Sequence, residues 1–130
     1  MPDADTIRML RDYMENGFLE NIIDMFRHDP SLWGAVTHMI TDERSRVRIG
    51  TIALAETFFN EHRDAIIKAI PDMAEGLKHP EPTIRGDVVF LLDTLGLKEA
   101  VPYLKDAHEK EDTQVVRDEM EETLNKLECC

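Results

Sequence analysis

The sequence predicts an all-α fold of stacked helix pairs, and three observations carry that reading. An apolar stripe with helical spacing occurs three times, a second stripe precedes each copy at nearly the same shift, and turn-forming residues separate the members of each pair. Composition agrees: aromatic residues are only 6% of the 130, and the abundant Glu, Leu, Ala and Met favour helix over sheet. A chain of this length forms one domain with a real core.

The register is set by Val47-Arg48, Ile84-Arg85 and Val116-Arg117, which are 37 and 32 residues apart. From its first members Val47, Ile84 and Val116 the stripe continues through Thr51, Val88 and Met120, then Leu54, Leu91 and Thr123. Ala55, Leu92 and Leu124 follow, and Phe58, Leu95 and Leu127 close it. Offsets of 0, 4, 7, 8 and 11 lie on one helix face, and thirteen of the fifteen residues are apolar. The earlier stripe reads Trp33, Val36, Ile40, then Ile70, Met73, Leu77, then Val101, Leu104, His108, with shifts of 37 and 31. Two stripes moving together identify the repeating object as a helix pair.

Turn residues divide the pairs. His79-Pro80-Glu81-Pro82-Thr83 breaks the chain inside pair two, and Gly96 follows Leu95 where a left-handed cap is wanted. Asp29-Pro30-Ser31 offers a break with Ser31 as the expected cap. Pro102 suits a first helical turn, whereas Pro71 predicts a kink or a late start, because Asp64 reads as an N-cap. Before the repeats, Ile7, Leu10 and Met14 fit a short helix closed by Asn16-Gly17. Leu19, Ile22, Ile23 and Phe26 fit another, ending at His28-Asp29-Pro30. These read as a degenerate pair covering the open end of the stack.

Ala100-Val101-Pro102-Tyr103-Leu104, the acidic turn Glu111-Asp112 and Val115-Val116-Arg117 together are similar to the short HEAT-like repeat of phycobilisome-lyase-type proteins. Asp42-Glu43 before Val47-Arg48, and Glu81 before Ile84-Arg85, follow the same pattern. The resemblance spans Leu32 to Leu127, with departures at Gly50, inside a second helix, and in unit three, which lacks the usual small apolar residues. It implies an α/α right-handed superhelix of about eight helices in four antiparallel pairs. The expected layout is a single domain over 1–130, with 1–30 as a capping pair and 31–59, 64–96 and 97–128 as repeat units. It also implies that Arg48, Arg85 and Arg117 pair with the acidic turn of a neighbouring unit; the other reading of these arginines is an anion site.

Charge narrows the function. With 27 acidic against 15 basic residues the net charge is −12, which opposes wrapping of nucleic acid and binding to anionic membranes, and fits a basic partner or simply good solubility. No apolar run approaches the roughly 18 residues of a membrane span. Met1-Pro2-Asp3-Ala4-Asp5 lacks the design of a secretory signal, so a cytoplasmic location is expected. Cys129-Cys130 reads as a reduced tail, with prenylation as the other possibility.

Off the stripes, the first two second helices carry Ile49, Ile52, Ala53 and Gly86, Val89, Phe90, while the third carries Asp118, Glu121 and Glu122. Burying unpaired carboxylates costs several kcal/mol, so the third is expected to be a wet terminal cap and the others to be covered on two sides.

Catalytic chemistry finds little purchase. Of His28, His38, His62, His79 and His108, only His108-Glu109 has the His-Glu order used repeatedly by HEAT-like di-iron hydroxylases, and one dipeptide does not make such a site. No nucleophile arrangement or glycine-rich phosphate loop is present, so no enzyme activity, metal or cofactor is expected. The best candidate is a stripe of carboxylates on the second helices: Glu56, Asp87, Asp93, Glu119 and Glu122. Asp87 and Glu119 occupy equivalent positions in adjacent repeats, as do Glu56 and Asp93. The expected function is a scaffold or adaptor docking a protein with a basic segment. The alternatives are a merely solvated face, a HEAT-like enzyme or lyase subunit, and a structural homo-oligomer.

Overall fold

A computed structural model describes residues 2–129, and all regular structure among them is helical. Eight α-helices follow in order: α1 Ala4–Glu15, α2 Leu19–His28, α3 Val36–Ile40, α4 Ser45–Phe58, α5 Arg63–Glu75, α6 Pro82–Leu95, α7 Val101–Lys110 and α8 Gln114–Glu128. Short 3-10 turns at Pro30–Ala35, Gly76–Lys78 and Lys98–Ala100 lie against α3, α5 and α7.

The periodic stripe is the core. Fourteen of its fifteen residues are buried, and Leu124 is half-buried. Thr51 and Thr123 tolerate burial because their hydroxyls donate, to the Val47 carbonyl (2.8 Å) and to Asp93 Oδ2 (2.9 Å). In the earlier stripe, Val101 and His108 are half-buried and the other seven residues are buried. The helices that carry the fifteen-residue stripe touch in succession, α4 on α6 and α6 on α8, and those of the earlier stripe do likewise, α3 on α5 and α5 on α7. Trp33, Phe26 and Phe58 pack edge-to-face and stacked, closing the core between α2, α4 and the first 3-10 turn.

One polar device recurs with the apolar register. Five residues before each of Val47, Ile84 and Val116 stand Asp42, His79 and Glu111. Each accepts the backbone N–H two residues on: Asp42 Oδ1 from Arg44 (2.8 Å), His79 Nδ1 from Glu81 (3.0 Å) and Glu111 Oε2 from Thr113 (3.1 Å). These bonds fix the turns that launch α4, α6 and α8.

The arginine six residues beyond each acceptor folds back on the same turn. Arg48 donates to the carbonyls of Asp42 and Glu43, Arg85 to those of His79 and Pro80, and Arg117 to those of His108 and Glu111. The other edge of the guanidinium reaches the next unit. Arg48 Nε donates to Asp87 (2.7 Å), and Arg85 makes two 2.8 Å bonds to Glu111. Only Arg85 therefore pairs with a neighbouring acidic turn, as expected of all three. Arg48 takes an acid from the next helix because His79 replaces the turn carboxylate. Among the described residues Arg117 makes no ion pair.

The register extends one step further than the sequence reading placed it. Arg11 lies 37 residues before Arg48, follows apolar Leu10, and donates to Asp42 (2.6 Å), the acidic turn of the next unit. Helix α1 packs on α4 as α4 packs on α6. It approaches so closely at Gly50 that a Cβ there would overlap the Met14 side chain. The glycine that looked like a departure is what admits α1.

Several local expectations change. Asp29, not Ser31, caps the first 3-10 turn, accepting from the Ser31 amide (3.1 Å) and hydroxyl (2.6 Å). Helix α5 neither starts late nor uses Asp64 as its cap: it begins at Arg63, after His62, and continues through Pro71. Gly96 adopts the predicted left-handed conformation at φ 65°, and α7 takes Pro102 in its first turn. Ile49 and Phe90, expected to be covered, are exposed, while Val89 is buried and Ile52, Ala53 and Gly86 are half-buried. Of the cysteine pair, Cys129 caps α8 and is exposed, and Cys130 lies outside the described residues.

Asp42 is the most heavily bonded acid. Burial opposes its charge, but hydrogen bonds from the Arg44 side chain and amide and from Arg11 outweigh burial and hold its pKa down at about 2, against 3.8 ordinarily. A folded-state pKa below the unfolded one means stability present above about 3.8 and lost as pH falls through about 2. Asp42→Asn should therefore unfold more easily than wild type at neutral pH, by about 2 kcal/mol. The gap should close between pH 4 and pH 2 in urea melts; a gap independent of pH contradicts this role for the carboxylate.

Candidate docking face

Helices α4, α6 and α8, which touch in succession, carry the five predicted carboxylates, and these fare differently. Glu56 and Glu122 are exposed, Asp87, Asp93 and Glu119 half-buried. Asp93 is engaged within the fold: it receives the Lys126 ammonium (2.8 Å) and the Thr123 hydroxyl (2.9 Å), tying α6 to α8. Asp87 gives one oxygen to Arg48. Glu56 has no hydrogen bond or ion pair among the described residues, and it does not line the groove between α6 and α8.

Asp87, Glu119 and Glu122 are brought together. Their mutual field is visible at Glu119, whose carboxyl is pushed up first by burial and then by the charges of Asp87 and Glu122. No hydrogen bond or ion pair among the described residues compensates it. The stripe is thus a cluster of three acids at the α6–α8 junction, with Asp93 and Glu56 outside it.

What sequence reasoning missed is the apolar half of the surface. Ile49 on α4, Phe90 on α6 and Val115 on α8 are 69%, 58% and 66% exposed. Phe90 and Val115 face one groove of about 390 Å³ between α6 and α8, which Asp87 and Glu119 also line. Gly86 leaves its floor open, since a Cβ there would come within 3.2 Å of Glu119 Oε2. A signal was present: Phe90 is equivalent to Ala53 and Glu122 in the repeat, so no stripe demands a large apolar side chain there.

Other polar groups are accounted for structurally. His108, half-buried, has its Nε2 2.9 Å from Glu121 Oε1, while its neighbour Glu109 is exposed. His62 accepts the Trp33 indole N–H at Nδ1 (3.1 Å) and stacks on Phe58. Among the described residues no three His, Cys, Asp or Glu side chains gather as a metal-binding group, and no helix is long and apolar enough to cross a membrane.

No family model matches the chain, and neither does a curated protein or a solved structure.

An acid that burial and like charges oppose costs stability where it stands. With its folded pKa raised, Glu119 destabilises the fold at neutral pH; the cost fades as pH falls through the raised value towards the ordinary 4.5 and is gone below it. Glu119→Gln is expected to melt higher than wild type at neutral pH, with the advantage gone below that value. A lower melting temperature at neutral pH contradicts the assignment of Glu119 as a strained, uncompensated group.

Proposed function

We propose that this protein is a non-catalytic scaffold or adaptor that docks a protein partner bearing a basic segment on the outer surface of α4, α6 and α8. The observation that carries the reading is the pairing of exposed Ile49, Phe90 and Val115 with the acids Asp87, Glu119 and Glu122. Ile49, Phe90 and Val115 are the three most exposed large apolar side chains among the described residues. A face made for association combines them with charge that steers and orients the partner. The net charge of −12 gives the partner's sign.

The architecture behind this reading is a HEAT-like right-handed α/α superhelix of antiparallel pairs. Its support is the repeat register, the succession α4–α6–α8 beside α3–α5–α7, and the arginine that recurs in each unit. Stacked repeats of this kind line up equivalent positions of successive units, which makes an extended binding surface from one helix per repeat. In such a stack α1 stands in line with the second helices, and Asp118, Glu121 and Glu122 keep the α8 end wet.

Affinity capture from a lysate of the source organism, with mass spectrometry of what is retained, tests the role. Wild type is compared with an Ile49→Glu, Phe90→Glu variant, whose changes touch exposed side chains and leave the core and the arginine contacts intact. A protein kept by wild type and lost by the variant is the expected result. Equal retention places the docking surface elsewhere, and no specific retention contradicts the scaffold reading.

A further inference from the structure

We infer that the groove between α6 and α8 is a seat for one lysine or arginine side chain of a basic segment, its alkyl stem lying on Phe90 and Val115 and its charge between Asp87 and Glu119. This rests on the docking-face reading and narrows it to one anchoring contact.

Three features of the groove argue for a cationic side chain with a long stem. Its apolar walls, Phe90 and Val115, are more than half exposed and have no cover within the fold. Lysine and arginine suit such walls because their methylene stems lie on apolar surface while the head stays polar, and an exposed ring face attracts the cation itself. Two carboxylates also line the groove, Asp87 and Glu119. Asp87 has one oxygen on Arg48, its other oxygen has no protein donor among the described residues, and neither oxygen of Glu119 has one. Gly86 also lines the groove, and a Cβ at that position would crowd Glu119 Oε2 at 3.2 Å.

The acids of the fold that hold internal cations show what is missing here. Asp42 has Arg11 and Arg44, Glu111 has Arg85, and Asp93 has Lys126. Glu119 is the half-buried acid of this surface with no cation of its own, and Glu122 beside it adds negative charge and no donor. An incoming ammonium or guanidinium relieves that repulsion, so the contact is stronger than an isolated surface ion pair. A second copy of this acidic chain is the poorer occupant, since each copy brings the same sign of charge.

Short peptides alternating leucine with lysine, leucine with arginine, and leucine with glutamate serve as probes in ¹⁵N–¹H NMR titrations of the full chain. The lysine and arginine peptides are expected to shift the amides of Gly86, Asp87, Phe90, Val115 and Glu119; the glutamate peptide is expected to shift none. Binding of the basic peptides should weaken roughly fivefold in Glu119→Gln and in Phe90→Ala. It should stay at the wild-type level in Glu99→Gln, which removes the same charge from an exposed 3-10 turn elsewhere. The ranking of lysine against arginine then identifies the preferred head group. Shifts centred on other residues, equal weakening by Glu99→Gln and Glu119→Gln, or no binding of either basic peptide overturns the seat. A partner that the Ile49→Glu, Phe90→Glu variant loses, with the seat overturned, leaves the docking face standing without this anchor.

Discussion

The structure depends on an arginine held in two directions at once. One edge of the guanidinium closes on carbonyls of the turn that starts its own helix, and the other edge reaches a carboxylate of the next unit. Such a contact joins local and tertiary structure: the turn must form for the arginine to be placed, and the next unit must be stacked for its second edge to be satisfied. Arginine suits this task because its planar donors span both partners without losing charge. The apolar stripe supplies the bulk of the burial energy, but a stripe of Val, Ile and Leu tolerates sliding along the stack. The directional bonds of Arg11, Arg48 and Arg85 fix the register at which the stripes meet.

The same constraint shapes the outer surface. Asp87 belongs to the acid cluster and to the Arg48 contact, so the clamp between α4 and α6 orients one wall of the groove. Asp93 performs the corresponding task between α6 and α8 through Lys126. With these two acids held, Glu119 is left facing Asp87 and Glu122 without a cation. The contacts beneath thus leave an uncompensated acid above them, at a local cost in stability.

Much of the fold was legible because its signals are periodic. Both stripes, the Gly96 cap and the wet side of α8 follow from spacing and residue type, and periodic burial leaves little room for another answer. The Leu10-Arg11 step was equally present in the sequence, 37 residues before Val47-Arg48, and was missed because the helix that carries it ends at Glu15 before the full stripe can repeat. The capping at Asp29 and the start of α5 at Arg63 were not legible, since several neighbouring residues could cap and tertiary contacts choose among them. The site was read in part. Acid positions follow from the register, but whether an acid is bound internally depends on cations far away in sequence, such as Arg48 for Asp87 and Lys126 for Asp93. Exposure of Ile49 and Phe90 was misjudged because an apolar residue off the stripe looks the same in sequence whether a neighbour or a partner covers it.

The arginine clamp is tested most directly by a double-mutant cycle on Arg85 and Glu111, using Arg85→Met, Glu111→Gln and the double variant in urea unfolding. Both side chains are largely buried and joined by two hydrogen bonds of 2.8 Å, so each single change leaves the other group stranded. A coupling energy of about 2 kcal/mol is predicted. Losses that add to within about 0.5 kcal/mol would contradict the clamp as the contact that joins the units.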